Sequence, residues 1–151
     1  MSIALRCVNL AVHHRRHYFM SQSLWPASAY NCHLTDIPEN ILQTAEELLR
    51  TSLWGQALTE EEMRKALAGT CERTFAAGAF ICMKGEPVDQ WMGIVNGLGK
   101  MASHWTTGKT TSLTGITSGG WFGEGSMLKN EPRRYDVMAL RETRVAFMNR
   151  S

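Results

Sequence analysis

Residues 119–140 read GGWFGEGSMLKNEPRRYDVMAL, a glycine-dense stretch with one early carboxylate, Glu124. Two adjacent arginines, Arg133 and Arg134, follow it nine and ten positions later. A carboxylate accepts hydrogen bonds, and a guanidinium donates two parallel hydrogen bonds to an anion. A plain surface turn needs glycines but has no use for this spacing. We therefore take the stretch as a candidate binding site and ask which elements position it.

The overall composition is that of one ordinary globular domain. The chain has 151 residues, of which 44% are hydrophobic and 20% charged, enough for a single core. The net charge of +2 gives no broad nucleic-acid footprint. No apolar run approaches the roughly 18 residues of a membrane span, so we expect no membrane partner.

The four cysteines, at positions 7, 32, 71 and 82, form no C-x-x-C pair. A chain of this length does not need disulfides to be stable. The sequence therefore predicts reduced thiols and a cytoplasmic protein.

The first 40 residues lack sustained periodicity and contain Pro26 and Pro38. We predict a poorly structured N-terminal tail over residues 1–40, with Met20 as a plausible true start. Residues 41–151 are predicted to form the folded domain.

Two helices are predicted at the start of that domain. The pattern ILQTAEELLRTSLW predicts an amphipathic helix from Ile41 to Trp54, with Asp36 as a possible cap. In LTEEEMRKAL, Thr59 precedes Glu62 by three residues, which is the spacing of a capping box, and Gly69 is expected to end the second helix.

Beyond Gly69, short apolar runs alternate with glycines. Runs such as FICMK, WMGIVNG and TRVAFMN have the length of strands, and no ten-residue helical pattern separates them. This arrangement indicates a mainly β sandwich, roll or barrel rather than a parallel α/β fold.

From about Leu58 to Phe147 the sequence resembles the cyclic-nucleotide-binding domains of the Crp–Fnr superfamily of bacterial transcription regulators. The resemblance lies in Gly85-Glu86, in Phe122-Gly123-Glu124 and in Pro132-Arg133. It implies a jelly roll, or double-stranded β-helix, with short N-terminal helices. It also implies a phosphate-binding cassette with a short helix over about residues 126–129.

The resemblance assigns the residues of the cassette. Glu124 is expected to accept a hydrogen bond from a ribose hydroxyl, and Arg133 to bind the phosphate of cyclic AMP (cAMP), another cyclic nucleotide or a different small anionic effector. The ligand-binding residues expected on this basis are Gly123, Glu124, Gly125, Ser126, Arg133, Arg134 and Asp136.

Four positions depart from the family pattern. Gly125 replaces an aliphatic residue, and Arg134 and Tyr135 stand where small residues are usual. Asp136 replaces a Thr or Ser, and a carboxylate about 5 Å from a phosphate costs roughly 3 kcal/mol at a dielectric of about 20. Neutralisation of Asp136 by Arg134 would cancel much of this cost. The alternative is a structural or interaction module whose cassette is degenerate, with Glu124 and Arg133 forming an ion pair.

Other kinds of site have weaker support. Gly108-Lys109-Thr110 lacks the first glycine of a P-loop, and a hairpin turn accounts for it better. The histidines near the N-terminus, with Cys32, show no metal-ligand spacing. Trp91 and Trp121 are expected in the core or at its rim. No nucleophile–base pair is visible, so we predict a regulatory rather than a catalytic domain, without a metal.

In Crp–Fnr regulators, a dimerisation helix and a helix-turn-helix follow the roll. The sequence ends at Ser151, directly after a predicted strand, so both modules are expected to be lacking. A homodimer and DNA binding are therefore expected only for a full-length relative.

Overall fold

The computed structural model of the protein describes residues 2–19, 44–104 and 110–150. Its helices are α1 (Ile3–Phe19), α2 (Ala45–Thr51), α3 (Glu60–Ala68) and α4 (Glu124–Lys129), with a 3₁₀ turn at Gly55–Ala57. Its strands are β1 (Thr70–Phe75), β2 (Phe80–Cys82), β3 (Gln90–Asn96), β4 (Leu98–His104), β5 (Thr110–Thr117), β6 (Trp121–Phe122), β7 (Asp136–Ala139) and β8 (Thr143–Asn149). The predicted mainly β roll with leading helices is confirmed.

The strands form two antiparallel four-stranded sheets, with the orders β1-β8-β3-β6 and β2-β7-β4-β5. One apolar cluster lies between them and includes Ile94, Phe122 and Val137. A second cluster lies where the helices cover β3 and includes Trp91 and Val95. Strand β3 is therefore buried on both faces, which explains its nearly continuous apolar sequence.

The second predicted helix has the expected ends. The Glu62 N–H donates to Thr59 Oγ1 over 3.3 Å, and the Thr59 N–H donates to Glu62 Oε2 over 2.9 Å. These two bonds form the predicted capping box, and Gly69 follows the last helical residue. Local side-chain chemistry was sufficient to place α3.

The first predicted helix is shorter than expected. Thr44, not Asp36, caps α2, because its side chain accepts a 3.1 Å hydrogen bond from the Glu47 N–H. The chain becomes extended at Ser52, so Trp54 lies outside the helix although it is buried. Asp36 and residues 41–43 lie outside the described residues.

The prediction of a poorly structured N-terminus is wrong for residues 3–19. They form α1, in which Ala4, Cys7 and Val8 are fully buried in the helix-side cluster. With Ala11, these positions follow the i, i+3, i+4, i+7 spacing of an amphipathic helix. This spacing was the available sequence signal, and it was overlooked because a basic segment follows these residues. Residues 20–40 and the candidate start at Met20 lie outside the described part of the chain.

Three tryptophans form the centre of the helix-side cluster. The ring centroids of Trp91 and Trp121 are 4.5 Å apart, and Trp54 lies 4.9 Å from Trp91 and 5.1 Å from Trp121. The predicted placement of Trp91 and Trp121 in the core is confirmed, since they are 1% and 8% exposed. Within the described segments no helix combines the length and apolarity needed to cross a membrane.

Thiol labelling tests whether α1 is docked. Burial, with the Glu62 charge adding to it, raises the pKa of Cys7 to about 12, whereas Cys71 is exposed. In a Cys32→Ser background at pH 8, we expect iodoacetamide to label Cys71 in the native protein and Cys7 only after unfolding, because the thiolate is the reactive form.

Cys82 serves as the internal control, since burial raises its pKa to about 11. Mass spectrometry of the labelled peptides reports all three sites. Labelling of Cys7 as fast as Cys71, while Cys82 stays protected, would show that α1 is not packed on the domain.

Candidate functional site

The cassette helix begins at a left-handed glycine. After β6, Gly123 has φ +95°, and this reversal directs the chain into α4 with Glu124 as the first helical residue. Met127 is fully buried and anchors the helix in the core. Asn130, also left-handed with φ +54°, ends it. The helix starts two residues earlier than the predicted range 126–129.

A cavity of about 660 Å³ opens beside α4, within the usual size range of small-molecule sites. Strand β5, strand β6, helix α4 and the chain entering β7 form its walls. Its lining residues are Met101, Thr114, Gly115, Ile116, Thr117, Gly120, Trp121, Phe122, Glu124, Gly125, Ser126, Lys129, Glu131, Arg134 and Tyr135.

The structure brings four of the seven predicted ligand-binding residues into this wall. Glu124, Gly125, Ser126 and Arg134 line the cavity, whereas Gly123, Arg133 and Asp136 do not. Arg133 lies close to Gly123, the residue before Glu124. Among the described residues, the charged side chains of the lining are two carboxylates and two cations, which balance in charge.

Arg133 is 7% exposed. Its Nη2 donates to the Gln90 carbonyl over 3.1 Å. Its Nη1 is buried and reaches no hydrogen-bond partner among the described residues. This nitrogen lies 3.1 Å from the point that a Cβ on Gly123 would occupy, so only glycine leaves it room.

The backbone of Arg133 joins the cassette to the loop between β2 and β3. The Arg133 N–H donates to the Glu86 carbonyl over 2.9 Å, and the Gly85 N–H donates to the Arg133 carbonyl over 2.8 Å. The two dipeptides that carried the family resemblance, Gly85-Glu86 and Pro132-Arg133, are therefore hydrogen-bonded to each other.

Asp136 does not face the cavity. Its Oδ1 accepts a 2.7 Å hydrogen bond from the Lys84 N–H, so the repulsion expected between this carboxylate and a phosphate has no support in the geometry. Arg134 forms a 2.5 Å ion pair with Glu131, and its neutralisation of Asp136 stays a prediction. The Arg133 guanidinium donates to the Gln90 carbonyl, and its ion pair with Glu124 stays the alternative derived from the sequence.

Sequence reasoning missed Lys129, Glu131, the strand β5 wall and the role of Tyr135. Lys129 follows Gly125 by four residues and Ser126 by three, which places all three on one face of a helix; that spacing was the available signal. No sequence signal was available for the β5 wall, because the approach of a distant strand to the cavity depends on sheet pairing rather than on local sequence.

Tyr135 lines the cavity and is a titratable residue of its wall. Burial raises the pKa of Tyr135 to about 12, and the Glu124 carboxylate adds to the rise, as does Cys82. The Arg133 guanidinium and a backbone hydrogen bond from Gly123 act in the opposite direction. The phenol therefore stays neutral at physiological pH.

Substitution of Gly123 by alanine tests the reversal before α4. We expect Gly123→Ala to cost about 1–2 kcal/mol of unfolding free energy, because an L-residue is strained at a left-handed φ and the new methyl would press on Arg133. Urea unfolding followed by fluorescence measures the change.

Gly125→Ala, two residues later in the chain, is the matched control. A Cβ there meets nothing within 4 Å and the position is helical, so alanine is expected to stabilise by about 0.5–1 kcal/mol. Equal effects of the two substitutions would contradict the special role given to Gly123.

Comparison with known proteins agrees with this geometry. The family model described as "Cyclic nucleotide-binding domain" matches residues 72–151. No curated protein matches the sequence significantly.

Among solved structures, a protein from Ruegeria pomeroyi matches at 22% identity and a TM-score of 0.64, over 69% of this chain and 46% of its own. The regulatory domain of Toxoplasma gondii PKA, crystallised with cAMP, matches at 20% identity and a TM-score of 0.64. The match covers 70% of this chain and 40% of the other. The N-terminal domain of a transcriptional regulator from Streptomyces coelicolor A3(2) matches at 24% identity and a TM-score of 0.60. The match covers 68% of this chain and 71% of the other.

The chain thus spans less than half the length of the first two proteins. At these identities the structural matches establish the fold. The family model covers more than half of the sequence and contains β1 to β8 almost completely along with the cassette. The chain belongs to the cyclic nucleotide-binding domain family.

Proposed function

We propose that the chain is the effector-sensing domain of a Crp–Fnr-type bacterial transcription regulator, binding a cyclic nucleotide such as cAMP or another small anionic effector in its cassette. The observation that carries the proposal is the cavity of about 660 Å³ beside α4. It has Glu124 in its wall, and the preceding residue, Gly123, lies close to the buried Arg133 guanidinium, whose Nη1 has no hydrogen-bond partner among the described residues.

The two side chains have complementary chemistry. Glu124 is half-buried and offers acceptors to a hydroxyl group of a sugar. The unpaired Nη1 of Arg133 is a donor in a low-dielectric setting, where a hydrogen bond to an anion is strong. A buried donor without a partner is costly, and an anionic effector would supply the missing acceptor.

Regulatory proteins that share the fold support the proposed transcriptional role. The similar domain from S. coelicolor is the N-terminal domain of a transcriptional regulator, and the T. gondii domain is a regulatory domain holding cAMP. Domains of this family are regulatory, and we propose the same for this chain, in the cytoplasm.

A structural or interaction module with a degenerate cassette is the second candidate. Two observations favour it: Arg133 already donates to the Gln90 carbonyl, and Tyr135 lines the cavity where the family usually has a small residue. This candidate requires that no cyclic nucleotide binds.

Calorimetric titration with cAMP, cyclic GMP and cyclic di-GMP separates the two candidates. We expect heat of binding with at least one ligand in the native protein. Arg133→Gln should weaken that binding roughly ten- to hundredfold, since a hydrogen bond to a charged group contributes about 1.5–3 kcal/mol. Glu124→Gln should also weaken it while preserving side-chain shape.

Arg141→Gln is the control for net charge, because Arg141 is exposed and does not line the cavity. Its affinity should equal that of the native protein. Trp121 lines the cavity, so its fluorescence gives an independent readout. If a folded protein gives no heat of binding with any of the three ligands, the structural module is supported instead.

A further inference from the structure

Gly125 leaves an opening in the part of the cavity wall that α4 forms. A Cβ on Gly125 would meet nothing within 4 Å, and its φ is not left-handed. Neither crowding nor backbone conformation therefore requires a glycine here, in contrast to Gly123, and glycine is unfavourable inside a helix. The position departs from the aliphatic residue of the family pattern. Because Gly125 lines the cavity, this departure gives the cavity additional space.

Lys129 borders this opening. It follows Gly125 by four residues and Ser126 by three, which places the three residues on one face of α4. All three line the cavity. A helical side chain covers the turn N-terminal to its own Cα, and for Lys129 this is the turn that contains Gly125. The ammonium group is therefore within reach of the space that the missing side chain leaves.

Lys129 also brings a charge that its neighbours in the lining do not pair with. Arg134, the other cation of the lining, forms a 2.5 Å ion pair with Glu131. Within the described segments, the Lys129 ammonium forms no ion pair or hydrogen bond. Glu124 begins α4 and Lys129 ends it, so roughly 7.5 Å along the helix axis separates their Cα atoms. The end of the cavity at Lys129 therefore favours an anion.

This cation is separate from the one at Arg133. The Arg133 guanidinium is buried close to Gly123, ahead of the first turn of α4, whereas Lys129 is exposed at the last turn. Gly123 and Lys129 are six residues apart, or roughly 9 Å along the helix axis. One phosphate held by the unpaired Nη1 of Arg133 would leave the Lys129 charge unmatched. A ligand that satisfies both cations carries two anionic groups.

We propose that Gly125 and Lys129 form a second anion subsite in the cavity, and that the effector is a nucleotide with two phosphate groups, of the cyclic dinucleotide class. The inference rests on the proposed effector function and names the class of effector. One phosphate binds at Arg133, and the other lies above Gly125 within reach of the Lys129 ammonium. Because Lys129 is exposed, the second contact is expected to contribute only about three- to fivefold in affinity.

Calorimetry with a mononucleotide and a dinucleotide of the same base tests the subsite. The pairs are cAMP with cyclic di-AMP and cyclic GMP with cyclic di-GMP, and the readout is the ratio of the two affinities within a pair. In at least one pair, we expect the native protein to favour the dinucleotide. Lys129→Gln should lower this ratio about three- to fivefold. Added salt should lower the ratio more in the native protein than in Lys129→Gln, because salt screens exposed charges.

Gly125→Leu tests the space independently of the charge. Leucine restores an aliphatic side chain and is a good helix former, and it should lower the ratio at least fivefold by filling the subsite. Lys65→Gln is the matched control for Lys129→Gln, since Lys65 is exposed on α3 and does not line the cavity. Its ratio should stay within twofold of the native value. Melting curves check that each variant is folded.

The outcomes separate this inference from the proposed function. If the native protein binds a mononucleotide in an Arg133-dependent way but Lys129→Gln and Gly125→Leu leave the ratio unchanged, there is no second subsite and the effector function stands. The same conclusion follows if the native protein favours the mononucleotide in both pairs, or if Lys65→Gln lowers the ratio as much as Lys129→Gln. If the folded native protein binds none of the four ligands, the effector function fails and the inference fails with it.

Discussion

The position of Arg133 is the constraint on which the site depends. Its backbone pairs with Gly85 and Glu86 in the loop between β2 and β3, and its guanidinium donates to Gln90 at the start of β3. These bonds join the loop, the start of β3 and the segment between α4 and β7. Because a side chain at Gly123 would meet the guanidinium, the left-handed glycine that starts the cassette helix and the buried arginine require each other.

Features determined by neighbouring residues could be predicted from the sequence. The Thr59–Glu62 capping box and the strand-length runs follow from local hydrogen bonding and backbone preferences, whereas the cassette helix was expected from the family resemblance. The family resemblance supplied the positions of Glu124 and Arg133. The helix over residues 3–19 was missed because its four apolar positions are small and a basic segment follows them, so its amphipathic pattern is short.

Features determined by tertiary contacts could not be predicted in this way. Asp136 was expected to oppose a phosphate, but it accepts a hydrogen bond from the Lys84 backbone, 52 positions away. Arg134 was considered as its partner, and the structure pairs Arg134 with Glu131. The direction of a side chain on a short strand depends on which loop packs beside it, and the sequence of the strand does not contain that information.

The N-terminal helix has a consequence for how motion in the cassette can spread. Helix α1 packs against α4, and Ala4, Cys7 and Val8 share one apolar cluster with Met127 of α4. Close-packed side chains cannot slide independently without opening voids. A rearrangement that tilts the cassette helix must therefore be mechanically transmitted to the opposite end of the chain, which couples the first turns of the protein to events more than a hundred residues later.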